Sequence, residues 1–146
     1  MARLVALNPP LVLALLAMIT VQLFKFASHW IRTGRIDVGR LTGTGGMPSS
    51  HAASVTALTT AIGLQAGWRS PLFGAVAFFA LVVIYDAAGI RRAAGKQARV
   101  LNRIIDDLKA HHHVEGERLK ELLGHTAMEA LTGVAYGVVL TLALHP

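Results

Sequence analysis

Residues 45–67 read GGMPSSHAASVTALTTAIGLQAG. A glycine pair and Pro48-Ser49-Ser50 lead into a run of alanine, threonine and aliphatic residues with no charge before Gly67. The junction reads as a helix start. A serine N-cap accepts a backbone N–H of the first turn, and the other first-turn N–H groups point outward, where they attract anions. His51 falls on that turn. GHTAME, residues 124–129, repeats the arrangement: His125 stands at the first turn of another apolar run, with Glu129 one turn later. Two histidines at the polar ends of apolar helices thus organise the chain.

Hydrophobic residues make up 53% of the 146 and charged residues 15%, with mean hydropathy +0.52, well off the soluble average. Four stretches are candidate bilayer crossings: Leu4–Phe24, His51–Gly67, Pro71–Ile90 and Thr126–Leu144. A crossing takes about 20 apolar residues, so the second is short and depends on its neighbours. The expected fold is an all-α integral membrane bundle of four transmembrane helices, one membrane-embedded domain over 1–146; a soluble helical bundle is the alternative. Arg3 ahead of the first run imitates a signal peptide. Asn8-Pro9-Pro10 is an odd opening for one, however, no small-x-small cleavage site follows, and Lys25 ends the run directly. The chain has no cysteine, which excludes disulfides.

The net charge of +6 is concentrated in two loops. Lys25, Arg32, Arg35 and Arg40 surround the first; Arg91, Arg92, Lys96, Arg99, Arg103, Lys109, Arg118 and Lys120 lie in the second. With four crossings both loops share one side, and the excess of Lys and Arg makes that side cytoplasmic, in a bacterial plasma membrane. Cations gathered to hold phosphate would bias the same count. A nucleic-acid surface is disfavoured, because no aromatic residues interleave with the cations and both loops return to the membrane.

Gly34, Gly39, Gly43, Gly45 and Gly46 give the loop at 33–47 enough backbone freedom to fold over a ligand. Residues 91–110 place Ala93, Ala94, Val100, Leu101, Ile104, Ile105 and Leu108 at helical spacing among cations, the pattern of an amphipathic helix lying in the interface. His111-His112-His113 reads as a solvated run. Asp106-Asp107 reads as surface charge, since no third carboxylate stands at useful spacing. His29 and His145 read as interfacial side chains, and Gly133 with Gly137 as a close-packing face. Asp86 either holds Arg91 or Arg92, or caps a break in the span.

Lys25 and Arg32 with six residues between them, Pro48-Ser49-Ser50-His51, and His125-x-x-x-Glu129 together resemble the three signatures of the type 2 phosphatidic acid phosphatase superfamily, which includes the vanadium-dependent haloperoxidases. The run YDAAGIRRAAGKQA, residues 85–98, with Leu101-Asn102 after it, resembles more specifically the divergent branch found in bacteria and plants. The resemblance covers essentially the whole chain. Departures from the general pattern are Thr33 in place of a proline, Ser50 in place of a glycine and Glu129 in place of an aspartate. Leu119, between Arg118 and Lys120, stands where the superfamily carries an arginine six residues before the histidine. Arg91 or Arg92 is the expected substitute.

The resemblance implies a membrane phosphatase that passes through a phosphohistidine, and the residues support that chemistry on their own terms. On a helix, His125 and Glu129 share a face at i and i+4, so the carboxylate can orient the imidazole for attack. Charge spreads over three equatorial oxygens in the transition state, so most of the catalysis is positioning and positive charge. Lys25, Arg32, Ser49, Ser50, Arg91 and Arg92 are the candidate phosphate ligands. His51 would protonate the departing oxygen. No metal or cofactor is needed by this scheme. The partners are the bilayer and a phosphorylated lipid of the polyprenyl diphosphate or phosphatidic acid type; self-association into a homo-oligomer is left open. The alternative is a non-catalytic membrane module that binds or transports phosphorylated lipids with the same cage. A third reading, vanadate-dependent halide oxidation, suits so small a membrane chain poorly.

Overall fold

The computed structural model describes residues 8–42, 46–111, 119 and 125–145. All its regular elements are helical: α1 (Pro9–Thr33), a short α2 (Gly39–Thr42), α3 (Ser50–Ala66), α4 (Pro71–Ala88), α5 (Ile90–His111) and α6 (Ala127–Leu144).

Asn8-Pro9-Pro10, an odd opening for a signal peptide, is a good opening for a helix. Asn8 caps α1 by accepting Leu11 N at 3.2 Å, and the prolines occupy first-turn positions that need no donor. α1 does not stop at Phe24. It continues through Lys25 and Arg32 to Gly34, whose left-handed backbone (φ 67°) closes the helix with a bond from its N–H to Trp30 O. A charge ends an apolar run without ending a helix. The expected crossing at Leu4–Phe24 is helical from Pro9 onward, and its first residues, 4–7, lie outside the described residues. The other boundaries fall close to expectation. Ser49, Ser70 and Thr126 cap α3, α4 and α6, and only Gly89 separates α4 from α5.

α3 is the central helix, packed against α1, α4 and α6. Its buried residues are mostly small, Ser50, Ala52, Ala53, Ala57, Thr60, Ala61 and Gly63, with Ile62 the large one among them. Gly133 and Gly137 of α6 lie directly on this stripe. A Cβ on Gly133 would stand 2.5 Å from Ser49 O and 2.9 Å from Ala52 Cβ. One turn beyond Gly137, Thr141 Oγ1 donates to Ala57 O at 3.3 Å. Tyr136 OH donates across to Thr20 Oγ1 on α1 at 2.8 Å, and Thr20 passes the bond to Leu16 O at 2.6 Å. The large apolar side chains face the other way. On α4, Ala80 and Ala87 are buried while Phe78, Phe79 and Leu81 are 64–67% exposed. This reverses the packing of a water-soluble bundle, in which Leu and Phe fill the interior, and resembles close packing by small residues in lipid. By length and composition α1 and α6 are able to cross a bilayer; the apolar stretch of α4, Pro71–Ala87, is one residue shorter than α6.

α5 has three faces. Gly95, Ala98 and Asn102 are buried; Val100, Leu101, Ile104 and Leu108 are exposed; Lys96, Arg99, Arg103, Asp106 and Asp107 form a charged edge between them. The expected amphipathic helix over 91–110 is thus present, one residue longer at each end.

Candidate functional site

The start of α3, the end of α4 and the start of α6 meet, and main-chain bonds join them. Ser49 N donates to Glu129 O at 2.9 Å, tying α3 to α6. His125 N donates to Ala87 O at 2.8 Å, so the residue ahead of α6 satisfies a carbonyl in the last turn of α4. Gln22 Nε2 donates to Leu41 O at 2.9 Å and holds α2 against α1.

These ties bring His51 and His125 together. Their ring centroids are 6.1 Å apart in an edge-on arrangement, 73° between planes. His125 is only 3% exposed, and His51 is half-buried beside it. Ser49 is fully buried and Ser50 nearly so. Ser49 Oγ accepts Ala52 N at 3.3 Å, which makes Ser49 the N-cap expected from the sequence. Lys25 is buried at 8% exposure, an uncommon fate for a lysine and one that marks a site. Gly46 lies over its stem: a Cβ there would sit 3.5 Å from Lys25 Cδ, and the backbone at Gly46 has φ +80°, which favours glycine. Gly46 thus packs against the stem of the lysine. Arg32, two turns along the same row of α1, is exposed.

Glu129 takes a different position from the one the spacing suggests. His125 is not helical. It precedes Thr126, the N-cap, so the i, i+4 relation on one helix face does not hold. Thr126 and Glu129 form a reciprocal capping box. Thr126 N donates to Glu129 Oε2 at 2.7 Å and Glu129 N to Thr126 Oγ1 at 3.2 Å. The carboxylate also lies at the positive end of α6, where negative charge is favoured. Thr-x-x-Glu ahead of an apolar run is the signal for this cap, and it stands plainly at 126–129.

Arg91 and Arg92 fall in the first turn of α5, but their side chains lie outside the described residues, as do Arg118, Lys120 and His112-His113 entirely. Position 91 continues the buried row 95–98–102 of α5 by helical period; position 92 does not. Among the described residues no group of three or more His, Asp or Glu side chains is arranged to hold a metal ion.

Asn102 has no counterpart in the expectations. It is 2% exposed and pairs with both main-chain groups of one residue: Asn102 Nδ2 donates to Leu119 O at 2.8 Å, and Leu119 N donates to Asn102 Oδ1 at 2.9 Å. The sequence carried Asn102 only as part of the run that resembles the divergent branch, with no role attached to it.

Glutamine retains the capping geometry of glutamate. Glu129→Gln should therefore shift Tm little, and a fall in turnover of two orders of magnitude or more would report the lost charge beside His125. Circular dichroism and a phosphate-release assay on the same preparation separate the two. Equal loss of Tm and turnover would make Glu129 a cap and nothing else.

An uncharacterized membrane protein of Bacillus subtilis (strain 168), YuiD, is 41% identical over 148 aligned residues, which cover 94% of each chain. No solved structure matches the chain. Residues 6–140 match the model of a family described as Divergent PAP2, a span that takes in Lys25, both histidines and the Asp86–Asn102 run. The chain belongs to the Divergent PAP2 family.

Proposed function

We propose that this chain is a membrane-embedded phosphatase that hydrolyses a phosphomonoester or diphosphate on a lipid. The observation that carries the reading is the convergence of His51, on the capped first turn of α3, and His125, 6.1 Å apart, in a chain that also buries Lys25. Family membership supports a phosphatase-related chemistry.

In this scheme a ring nitrogen of His125 attacks phosphorus and the bond to the lipid oxygen breaks. His51 gives that oxygen its proton. A water, deprotonated by His51, then attacks the phosphohistidine and releases phosphate. Lys25, Ser49, Ser50 and the N–H groups at the start of α3 bind the equatorial oxygens, with Arg32 at the rim. Arg91, in helical register with Gly95, Ala98 and Asn102, is the better substitute for the absent arginine. A guanidinium suits this role because it can grip two phosphoryl oxygens at once.

Membrane placement follows from the outward-facing apolar side chains of α1, α4 and α6 and from the membrane relative. All four helices α1, α3, α4 and α6 cross in this reading, α3 shielded by the other three, in one domain. Trp30 and Trp68, exposed near opposite ends of the bundle, fit the two interfaces. α5 lies in the interface with Val100, Leu101, Ile104 and Leu108 towards the acyl chains. The loop side, rich in Lys and Arg, faces the cytoplasm of a bacterial cell. A site at headgroup level favours a lipid substrate.

Phosphate release from a panel of lipid phosphates by protein in nanodiscs tests the reading, and absence of release from every member would sink it. His51→Ala should slow a poor alkoxide leaving group by about 10²–10⁴-fold and an activated aryl phosphate far less. Equal losses on both would leave His51 a phosphate ligand only. Lipid-phosphate binding without turnover is the second reading, favoured by Leu119 where a cation is expected and by the engagement of Glu129 in a cap.

A further inference from the structure

We propose that Asn102 is a positioning residue: its side chain clamps the main-chain N–H and C=O of Leu119, which belong to two successive peptide groups, and thereby sets where the chain leading to His125 can go. The inference rests on the phosphatase reading and adds a residue outside the histidine site.

Three observations carry it. Asn102 is 2% exposed on a helix whose buried row is otherwise Gly95 and Ala98, so a polar amide there is costly unless fully partnered. Both of its functional atoms meet the same residue, Nδ2 to Leu119 O at 2.8 Å and Leu119 N to Oδ1 at 2.9 Å. This copies the two-bond pairing of neighbouring β-strands and fixes both position and orientation of the peptide. The second end of the segment is tied as well, by His125 N to Ala87 O at 2.8 Å. Leu119 and His125 are therefore both anchored to the continuous α4–α5 unit. Without the first anchor, six residues of chain reach up to about 20 Å.

Leu119 itself is 45% exposed and contributes only its main chain to the clamp. Arg118 and Lys120 flank it in sequence, so the clamp sets the backbone between two cations. Side-chain identity at 119 is then immaterial to the anchoring, whereas the amide hydrogen at 119 is essential.

The test uses full-length protein in nanodiscs and three variants: Asn102→Ala, Leu119→Pro and Leu119→Ala. Asn102→Ala and Leu119→Pro should lower kcat by about 10²-fold, the loss expected from a misplacement near 1 Å. KM should change less than threefold and inhibition by vanadate should weaken in parallel with kcat, as for an interaction felt mainly in the transition state. Leu119→Ala should stay within twofold of wild type. Amide exchange at 119–125 should speed up in the first two variants and not in the third, with protection of α1, α3 and α6 unchanged. An Asn102→Ala protein that keeps kcat and vanadate affinity within threefold overturns the proposal, as does one whose exchange at Leu119 is unchanged. If wild type binds vanadate but hydrolyses no lipid phosphate, the phosphatase reading fails on its own. The clamp is then decided by vanadate affinity and exchange alone.

Discussion

Replacing His125 with alanine should reduce phosphate release by about 10⁴–10⁶-fold, the range seen when a covalent nucleophile is removed. The loss should not come from unfolding. The bond that places residue 125 runs from its main-chain nitrogen to Ala87 O, and alanine keeps it. Thr126 and Glu129 still cap α6. What disappears is a ring that is 3% exposed and set edge-on against His51. Rapid-quench labelling with a ³²P-lipid should show an acid-labile, base-stable protein adduct in wild type and none in His125→Ala. A variant that retains turnover within tenfold of wild type, or retains the adduct, would remove His125 from the nucleophile's role.

The largest effect on folding should come from α6. Gly133→Ala places a Cβ 2.5 Å from Ser49 O, 2.9 Å from Ala52 Cβ and 3.3 Å from Ala53 N. None of these can yield without moving α3 from α6, and overpacking of this kind costs about 1–3 kcal/mol. Gly137→Ala meets Ala57 N and Thr56 Cβ at 3.0 Å, one turn along. The double variant should fail to accumulate as folded protein. Gly74 on α4 is the internal control: a Cβ there meets nothing within 4 Å. Gly74→Ala should therefore gain about 0.5–1 kcal/mol from reduced backbone freedom. Thermal unfolding of the three single variants in one detergent decides the matter. If Gly133→Ala unfolds no earlier than Gly74→Ala, the contact between α3 and α6 is looser than described. Gly133→Ala should also cost activity beyond its stability loss, since the displaced atom belongs to Ser49.

α5 was legible from sequence almost to the residue, because its period of apolar positions is strong and cations mark the other face. The start of α3 was legible because a serine ahead of an apolar run is a good cap, and Ser49 is that cap. The end of α1 was not: hydropathy falls at Lys25, but nothing in the backbone stops a helix before Gly34. For the site, the two histidines come together, and Lys25 is buried on α1. Glu129 was misplaced because counting from His125 assumed a helix already begun, whereas Thr126 starts it. Asn102 could not be paired from sequence at all. Its partners are the main-chain N–H and C=O of one residue, and the main chain has no letter.

Four of the bonds that assemble this end of the molecule, at Ser49 N, His125 N, Leu119 N and Leu119 O, employ the main chain of the residues they locate. Proline aside, no point substitution at 49, 119 or 125 deletes such a tie. The scaffold therefore tolerates evolutionary drift in the side chains it presents, and a position can lose its charge while remaining in place. Leu119 is such a position. A lineage could abandon a cation there, recruit another from α5, and later restore the first without rebuilding the framework, which gives a divergent family a physical route for its divergence.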